Sequence, residues 1–302
     1  MGAVGRRTRE STAPFGVGPH PSAAFVVIGP TGAERCVTAS PRPIAAVTPV
    51  SDPDISFVLV TYGTGGVVID AIESLAASLA TDDVAYEVIV VDNEHPIRAR
   101  RTSTQLLLDT SGVHLVRPHR NLGFAAGCNL GVALARGTNV GFVNPDVEFP
   151  PDWLPPLIDA LDGDAAIAAP VLREPDGAVQ SAGHRLHADG STAPVAVAPR
   201  PGEVGRPHYA SAACWIMRRA TFDRIGGFDE SFFPAYYEDV DFALRAREIG
   251  GTVVVGDSSV VHHRGGSTDS AQVPDTTPQR LRLLENWPSL ASTQPTPPSR
   301  AV

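Results

Sequence analysis

An α/β fold built on one mostly parallel sheet is what this sequence predicts, and three observations carry the prediction. Short β-branched apolar runs alternate with segments of helical periodicity from about residue 54 to 268. Strand, helix and strand succeed one another within residues 55–93, and such a βαβ unit forces its two strands parallel. Two of the runs end in a carboxylate, Asp92 and Asp146, at the strand ends where α/β proteins usually bind ligands.

Composition brackets this core with two other regions. Residues 1–53 are rich in Pro, Ala, Gly and Thr and read as a low-complexity, disordered extension, with AAFVVIG and RCVTA as candidates for a small hairpin. Residues 269–302 return to Ser, Thr, Pro and Gln and read as a flexible tail, broken by the helix-like QRLRLLENW. With 302 residues, 43% of them hydrophobic, the chain can bury one large core. A formal net charge of -9 argues against nucleic-acid binding, which needs clustered Lys and Arg. No apolar run approaches the roughly 20 residues that span a bilayer. The first residues lack the apolar stretch of a signal peptide, so the expectation is a cytoplasmic protein that at most visits a membrane surface. Three scattered cysteines, Cys36, Cys128 and Cys214, have no metal-like spacing and fit a reduced compartment.

Within the core, Ile55 to Tyr62 reads as a buried strand, broken by Gly63, Gly65 and Gly66 and followed by the helix VVIDAIESLAASLA. YEVIVVDN supplies the second strand and GVHLVRP a third. The loop from Asn121 to Cys128 leads into a helix from about Asn129 to Ala135, then the strand NVGFVNPD. Tyr62, Asp92 and Asp146 should therefore line one crevice. Gly123 and Gly127 allow close backbone approach at the start of a helix, whose exposed N–H groups suit an anion or a sugar hydroxyl. That loop, Arg120 to Phe124, lacks the Lys and Thr of a triphosphate-binding loop.

Glu238-Asp239-Val240-Asp241 opens a helix running to about Ile249. At 100° per residue Asp239 falls inside the apolar arc, whereas Asp241, Arg245 and Glu248 fall opposite, where Asp241 and Arg245 can pair in solvent. Gly226 and Gly227 read as the end of a short helix. Phe228, Phe232 and Phe233 are expected to pack beneath the site, and Cys128 and Cys214 to be small buried residues.

In this order and at similar spacing, VLVTYG, VVDN, RNLGFAAGCNLG, NPDV, GGFDESFF, YYEDVDFALR and VVHHRGGS resemble the motifs of glycosyltransferase family 2, especially its bacterial rhamnosyltransferase-like members. The resemblance spans residues 55–268 and implies a GT-A fold, a single Rossmann-like domain that binds a nucleotide-sugar at its strand ends and inverts the anomeric carbon. It implies that Thr61, Asp92, Asn93 and Asn121 contact the nucleoside, with Tyr62, Gly123, Phe124 and Asn144 completing the donor site. It also implies Asp239 as the general base, assisted by Glu238, and a divalent cation, Mg²⁺ or Mn²⁺, held by Asp146 and one of two histidines. Strand alternation lets only one of His262 and His263 point inward, and His262 is favoured. A departing diphosphate needs a hard cation on carboxylate oxygen. Asn144 stands where the family often has a second Asp, which weakens the metal site. The implied substrates are a dTDP- or UDP-linked sugar, possibly rhamnose, and a glycan or lipid-linked acceptor. Two other readings share the nucleotide-binding sheet, a sugar-phosphate nucleotidyltransferase and a non-catalytic nucleotide-sugar binder. The first would need basic residues near VLVTYGTGG, which has none, and an acid on the apolar face speaks against the second.

Overall fold

The computed structural model describes residues 50–64, 66–93, 95, 112–263 and 275–292. The hairpin expected in the first 53 residues, Cys36, and Arg264–Ser267 lie outside them. Along the chain the strands are β1 Ile55–Thr61, β2 Tyr86–Asp92, β3 Val113–Val116, β4 Asn139–Val143, β5 Val147–Glu148, β6 Ala165–Arg173, β7 Val179–Ser181, β8 His184–Leu186, β9 Thr192–Pro194, β10 Cys214–Arg218 and β11 Thr252–His262. The helices are α1 Val67–Ser78, α2 Gly123–Leu134, α3 Pro155–Asp162, α4 Arg219–Ile225, α5 Glu238–Glu248, α6 Thr277–Asn286 and α7 Pro288–Ser292. Among the described residues one sheet has the order β3-β2-β1-β4-β10-β6-β11-β5, with β7 added beside β6 and β8–β9 forming a separate hairpin.

Parallel pairing joins β1 to β2, β1 to β4, β2 to β3 and β6 to β11. The central β10 runs against both β4 and β6. β5 and β7 also pair antiparallel, with β11 and β6, so the 9-stranded sheet is mixed: β1, β2, β3, β4, β6 and β11 run one way, as the alternation of runs predicts, and β5, β7 and β10 run against them. Every residue of β1 is buried, because helices cover both faces of the sheet. Ile55, Phe57 and Leu59 join the core beneath α1 and α3, while Val58 and Val60 join the core beneath α2 and α5. That division follows the two-residue period of a strand. On the second face, α2 lies close to β1 because its side toward the strand is glycine. A Cβ on Gly127 would stand 2.8 Å from Val60 Cγ1, and one on Gly131 would collide with Val58.

Three elements depart from the sequence reading. The second helix begins at Gly123, six residues earlier than periodicity places it, because Ala125, Ala126 and Gly127 carry no apolar stripe for a pattern to detect. Phe228 and Phe232 are buried as expected, but Phe233 is 54% exposed. The helix expected at QRLRLLENW forms as α6 and departs in its packing alone, since Leu283 is fully buried in the core with residues of α2 and α5. Cys128 and Cys214 are buried thiols. No described helix is long and apolar enough to cross a membrane.

Candidate active site

The register puts the ends of β1 and β2 side by side, with Thr61 opposite Asp92. Thr61 Oγ1 donates to Asp92 Oδ1 at 3.1 Å, and Arg117 Nε donates to Asp92 Oδ2 at 3.0 Å. Sequence reasoning missed Arg117. The signal was present, since β3 pairs Val116 with Val91 and the next residue then comes level with Asp92. Tyr62 follows, 40% exposed, its ring centroid 4.6 Å from that of His95.

The Asn121–Phe124 loop is held otherwise than expected. Asn93 is buried, its Oδ1 accepting from Leu122 N at 3.0 Å and its Nδ2 donating to the Gly123 carbonyl at 3.1 Å. Asn121 Oδ1 accepts from Gly123 N at 2.8 Å, and Phe124 N donates to the Pro234 carbonyl at 2.8 Å. The amides of Leu122, Gly123 and Phe124 are thus taken by the protein itself, so the opening of α2 is not an anion cradle. Asn93 and Asn121 set the loop's shape with the same amide groups that the family resemblance assigns to the nucleoside. Gly123 sits at φ 80°, and a Cβ there would lie 2.7 Å from the Pro234 oxygen, which makes glycine a requirement of this contact.

Asp146 lies in the turn between β4 and β5 rather than on a strand, and it is 3% exposed. Pairing of Val147 with His262 brings the end of β11 to this turn, and His263 N donates to the Asp146 carbonyl at 2.9 Å. His262 points inward, with Nε2 3.4 Å from Asp146 Oδ1, whereas His263 points outward to Glu148 Oε2 at 3.2 Å. Gln180 on β7 sets the ring. Its Nε2 donates to the His262 carbonyl at 3.1 Å, which turns its Oε1 toward His262 Nδ1 at 2.7 Å. An amide oxygen only accepts, so Nδ1 carries a proton and Nε2 is the ring atom that faces Asp146. One carboxylate oxygen and one imidazole nitrogen facing each other suit a divalent cation such as Mg²⁺ or Mn²⁺. Among the described residues no group of three or more His, Cys, Asp and Glu gathers, so the protein offers two donors and the remaining ligands would come from a bound diphosphate and water. Asn144, half-buried beside Asp146, uses its backbone N–H to reach the Ala213 carbonyl at 2.8 Å.

Opposite stands the first turn of α5. Tyr236 and Tyr237 precede it in left-handed conformations, φ 79° and 71°, which cost about 1–3 kcal/mol each for a bulky residue. Tyr237 OH ties the turn to the Gly190 carbonyl at 3.0 Å. Burial pushes the Asp239 carboxyl up to about 6, working against hydrogen bonds from Ala212 N at 3.4 Å and Val240 N at 2.8 Å that favour its ionised form. Glu238 is more buried still, and burial, with the Asp239 charge after it, pushes its carboxyl well above the usual range. Tyr209, also buried, is raised by burial and then by Asp239.

Asp241 corrects the helical-wheel reading. It pairs with Arg245 as expected, Nε to Oδ2 at 2.7 Å, yet it is 3% exposed because Trp287 Nε1 caps its Oδ1 at 2.8 Å. The chain after α6 covers Asp241 on the face assigned to solvent, while Glu248 on that face stays exposed.

A family model described as glycosyl transferase family 2 matches residues 56–226. Over 243 residues the chain is 30% identical to an N-acetylglucosaminyl-diphospho-decaprenol L-rhamnosyltransferase of Mycobacterium tuberculosis, covering 70% of this chain and 76% of that protein. It is 31% identical over 206 residues to an uncharacterised protein of Sinorhizobium fredii, of which it spans 22%. Among solved structures, GalNAc-T7 with UDP, GalNAc and Mn²⁺ superposes with a TM-score of 0.65 at 15% identity, over 80% of this chain and 50% of that one. TarS of S. aureus, residues 1–349 with UDP-GlcNAc, superposes with a TM-score of 0.53 at 17% identity, over 76% of this chain and 65% of that one. These neighbours share the GT-A fold, and with the sequence matches they establish that the chain belongs to glycosyl transferase family 2.

Proposed function

We propose that this glycosyltransferase inverts the anomeric carbon of a dTDP- or UDP-linked sugar, rhamnose foremost, as it moves that sugar to a hydroxyl of a glycan or lipid-linked acceptor. The observation that carries the reading is the Asp239 carboxyl, raised to about 6, which accepts from Ala212 N, the residue before the Ala213 carbonyl that holds Asn144 N two positions from Asp146. A base with such a value is ionised at neutral pH and still basic enough to take a proton. Asp239 accepts the acceptor's hydroxyl proton while the acceptor oxygen bonds to the anomeric carbon. The bond from that carbon to the diphosphate oxygen breaks, and its electron pair leaves with the nucleoside diphosphate. Glu238 assists in binding the acceptor. A divalent cation on Asp146 and His262, Mg²⁺ or Mn²⁺, would neutralise charge on the departing diphosphate.

Thr61, Tyr62, Asp92 and Arg117 line the nucleoside end. Asp92, which accepts from Thr61 Oγ1 and from Arg117 Nε, is read as the acceptor for the ring N–H shared by thymine and uracil. Gly123, Phe124 and Asn144 are read as completing the donor site. The M. tuberculosis relative, by its name, transfers L-rhamnose to a diphospho-decaprenol acceptor. That similarity supports rhamnose and a lipid-linked acceptor, and meeting such an acceptor would bring the protein into transient contact with the inner face of the cell membrane from a cytoplasmic location. Turnover with a panel of nucleotide-sugars, with and without chelator, tests the proposal. Transfer from dTDP-rhamnose or a UDP-hexose that is lost on chelation and restored by Mg²⁺ or Mn²⁺ is expected. Preference for a GDP- or ADP-sugar, or full activity after exhaustive chelation, would reject it.

A further inference from the structure

The β8–β9 hairpin stands apart from the main sheet, yet its tip is fastened where the chain enters α5. Tyr237 OH donates to the Gly190 carbonyl at 3.0 Å, and the Tyr237 carbonyl accepts from Asp241 N at 3.0 Å as the helix begins. One residue therefore grips the hairpin with its side chain and the first turn of α5 with its backbone. The next two residues are Glu238 and Asp239.

The tip is built to hold its end of this bond. Asp189 Oδ1 accepts from Ser191 N at 2.9 Å and from Ser191 Oγ at 2.6 Å, and Gly190 N donates to the His187 carbonyl at 2.9 Å. Helix α6 lies against it, so close that a Cβ on Gly190 would stand 3.1 Å from Arg280 Cγ and 3.3 Å from Leu284 Cγ. Arg280 Nη1 adds an ion pair to Asp189 Oδ2 at 3.7 Å. The Tyr237 hydroxyl thus bonds to a braced carbonyl. At the other end of the same residue the backbone is strained, with φ at 71°, a conformation that a tyrosine keeps only where its surroundings enforce it. Release of the side chain would let this backbone relax, and the turn that carries Asp239 would move with it.

We propose that Tyr237 is a positioning residue for the transfer, its hydroxyl bond to the hairpin tip fixing the first turn of α5 so that Asp239 meets the acceptor hydroxyl in place of water. This rests on the reading of Asp239 as the base. A base displaced by a small distance loses turnover while the donor still binds.

The test compares full-length wild type, Tyr237→Phe and Asp239→Asn, with dTDP-rhamnose as donor and farnesyl diphospho-N-acetylglucosamine as acceptor. Phenylalanine keeps the ring and removes only the bond. Transferred rhamnose and free rhamnose, the product when water takes the acceptor's place, are counted together, because their ratio does not depend on how much of the protein is folded. Tyr237→Phe should lower kcat for transfer by about threefold to tenfold, with the donor KM within about twofold of wild type. The ratio of free to transferred rhamnose should rise by about threefold or more. A lower kcat at an unchanged ratio would make the bond merely structural and overturn the inference. Wild-type kcat in Tyr237→Phe would overturn it too, leaving the base assignment intact if Asp239→Asn has lost turnover. Wild-type turnover in Asp239→Asn would defeat the reading of the base and this inference with it.

Discussion

Gln180 grips His262 at two points, its Nε2 donating to the backbone carbonyl at 3.1 Å and its Oε1 accepting from Nδ1 at 2.7 Å. Strand β7 contributes little else to the site, so this pair is the link between the sheet edge and the Asp146–His262 couple. Partners of this sort around metal-binding histidines change metal affinity 10–100-fold when removed. In Gln180→Leu the Mn²⁺ concentration for half-maximal transfer should rise by about that factor, with most activity regained at saturating metal. A metal titration of initial rates reads this directly, and an unchanged midpoint would show that Gln180 does not set the ring.

The acid pair at α5 gives the pH dependence a definite sign. Asp239 must be ionised to act, so kcat/KM should fall below about pH 6 as the carboxylate is protonated, the limb belonging to the Glu238–Asp239 pair jointly. Stability runs the other way. A carboxyl whose folded value is raised binds its proton more tightly in the folded state, so its contribution is fully present at low pH and is lost as pH rises from 3.8 through about 6. Asp239→Asn should therefore raise Tm at pH 8 and change it little at pH 4. Thermal melts at the two pH values check this, and equal shifts at both would count against a buried, raised carboxyl.

Helix α2 can approach β1 only because Gly127 and Gly131 lack side chains. Gly131→Ala drives a methyl into Val58, a β-branched residue with little freedom to yield. Overpacking of this kind costs about 1–3 kcal/mol, more than the gain in helix propensity from alanine. Denaturant unfolding should show that loss, and a stabilised variant would contradict the packing described.

On α6, Leu283→Ala should cost about 2–5 kcal/mol by leaving a cavity in the core under α5. Trp287→Phe should cost less, about 1–3 kcal/mol, since it strips one donor from a buried carboxylate that keeps its Arg245 partner. Equilibrium unfolding of both variants gives the comparison, and wild-type stability in Leu283→Ala would mean that α6 does not hold the fold.

These contacts also show where sequence reading stops. The β-branched runs of β1, β2 and β4 are legible because burial on both faces needs continuous apolar residues, and Asp92 and Asp146 follow from where those runs end. That only one of His262 and His263 points inward follows from strand alternation, whereas which one does is settled by the pairing of Val147 with His262. Asp241 is misread because a helical wheel knows one covered face, and the second cover, Trp287, lies 46 positions on. Gln180 is invisible for the same reason, being 82 positions from the histidine it orients. The N–H groups at the start of α2 look free in sequence because their acceptors, on Asn93 and Pro234, arrive only through the tertiary fold. Helix α6 sits in a segment whose composition signals a tail, and the buried Leu283 is a single residue that no window average detects.

Whether Asp239 takes the acceptor's proton is tested by Asp239→Asn, which keeps the shape of the side chain and removes the base. Donor affinity and kcat measured side by side should show nucleotide-sugar binding unchanged and turnover lower by roughly 10²-fold or more, with the acid limb of the remaining rate abolished. Turnover within a few-fold of wild type, at unchanged donor affinity, would show that Asp239 is not the base.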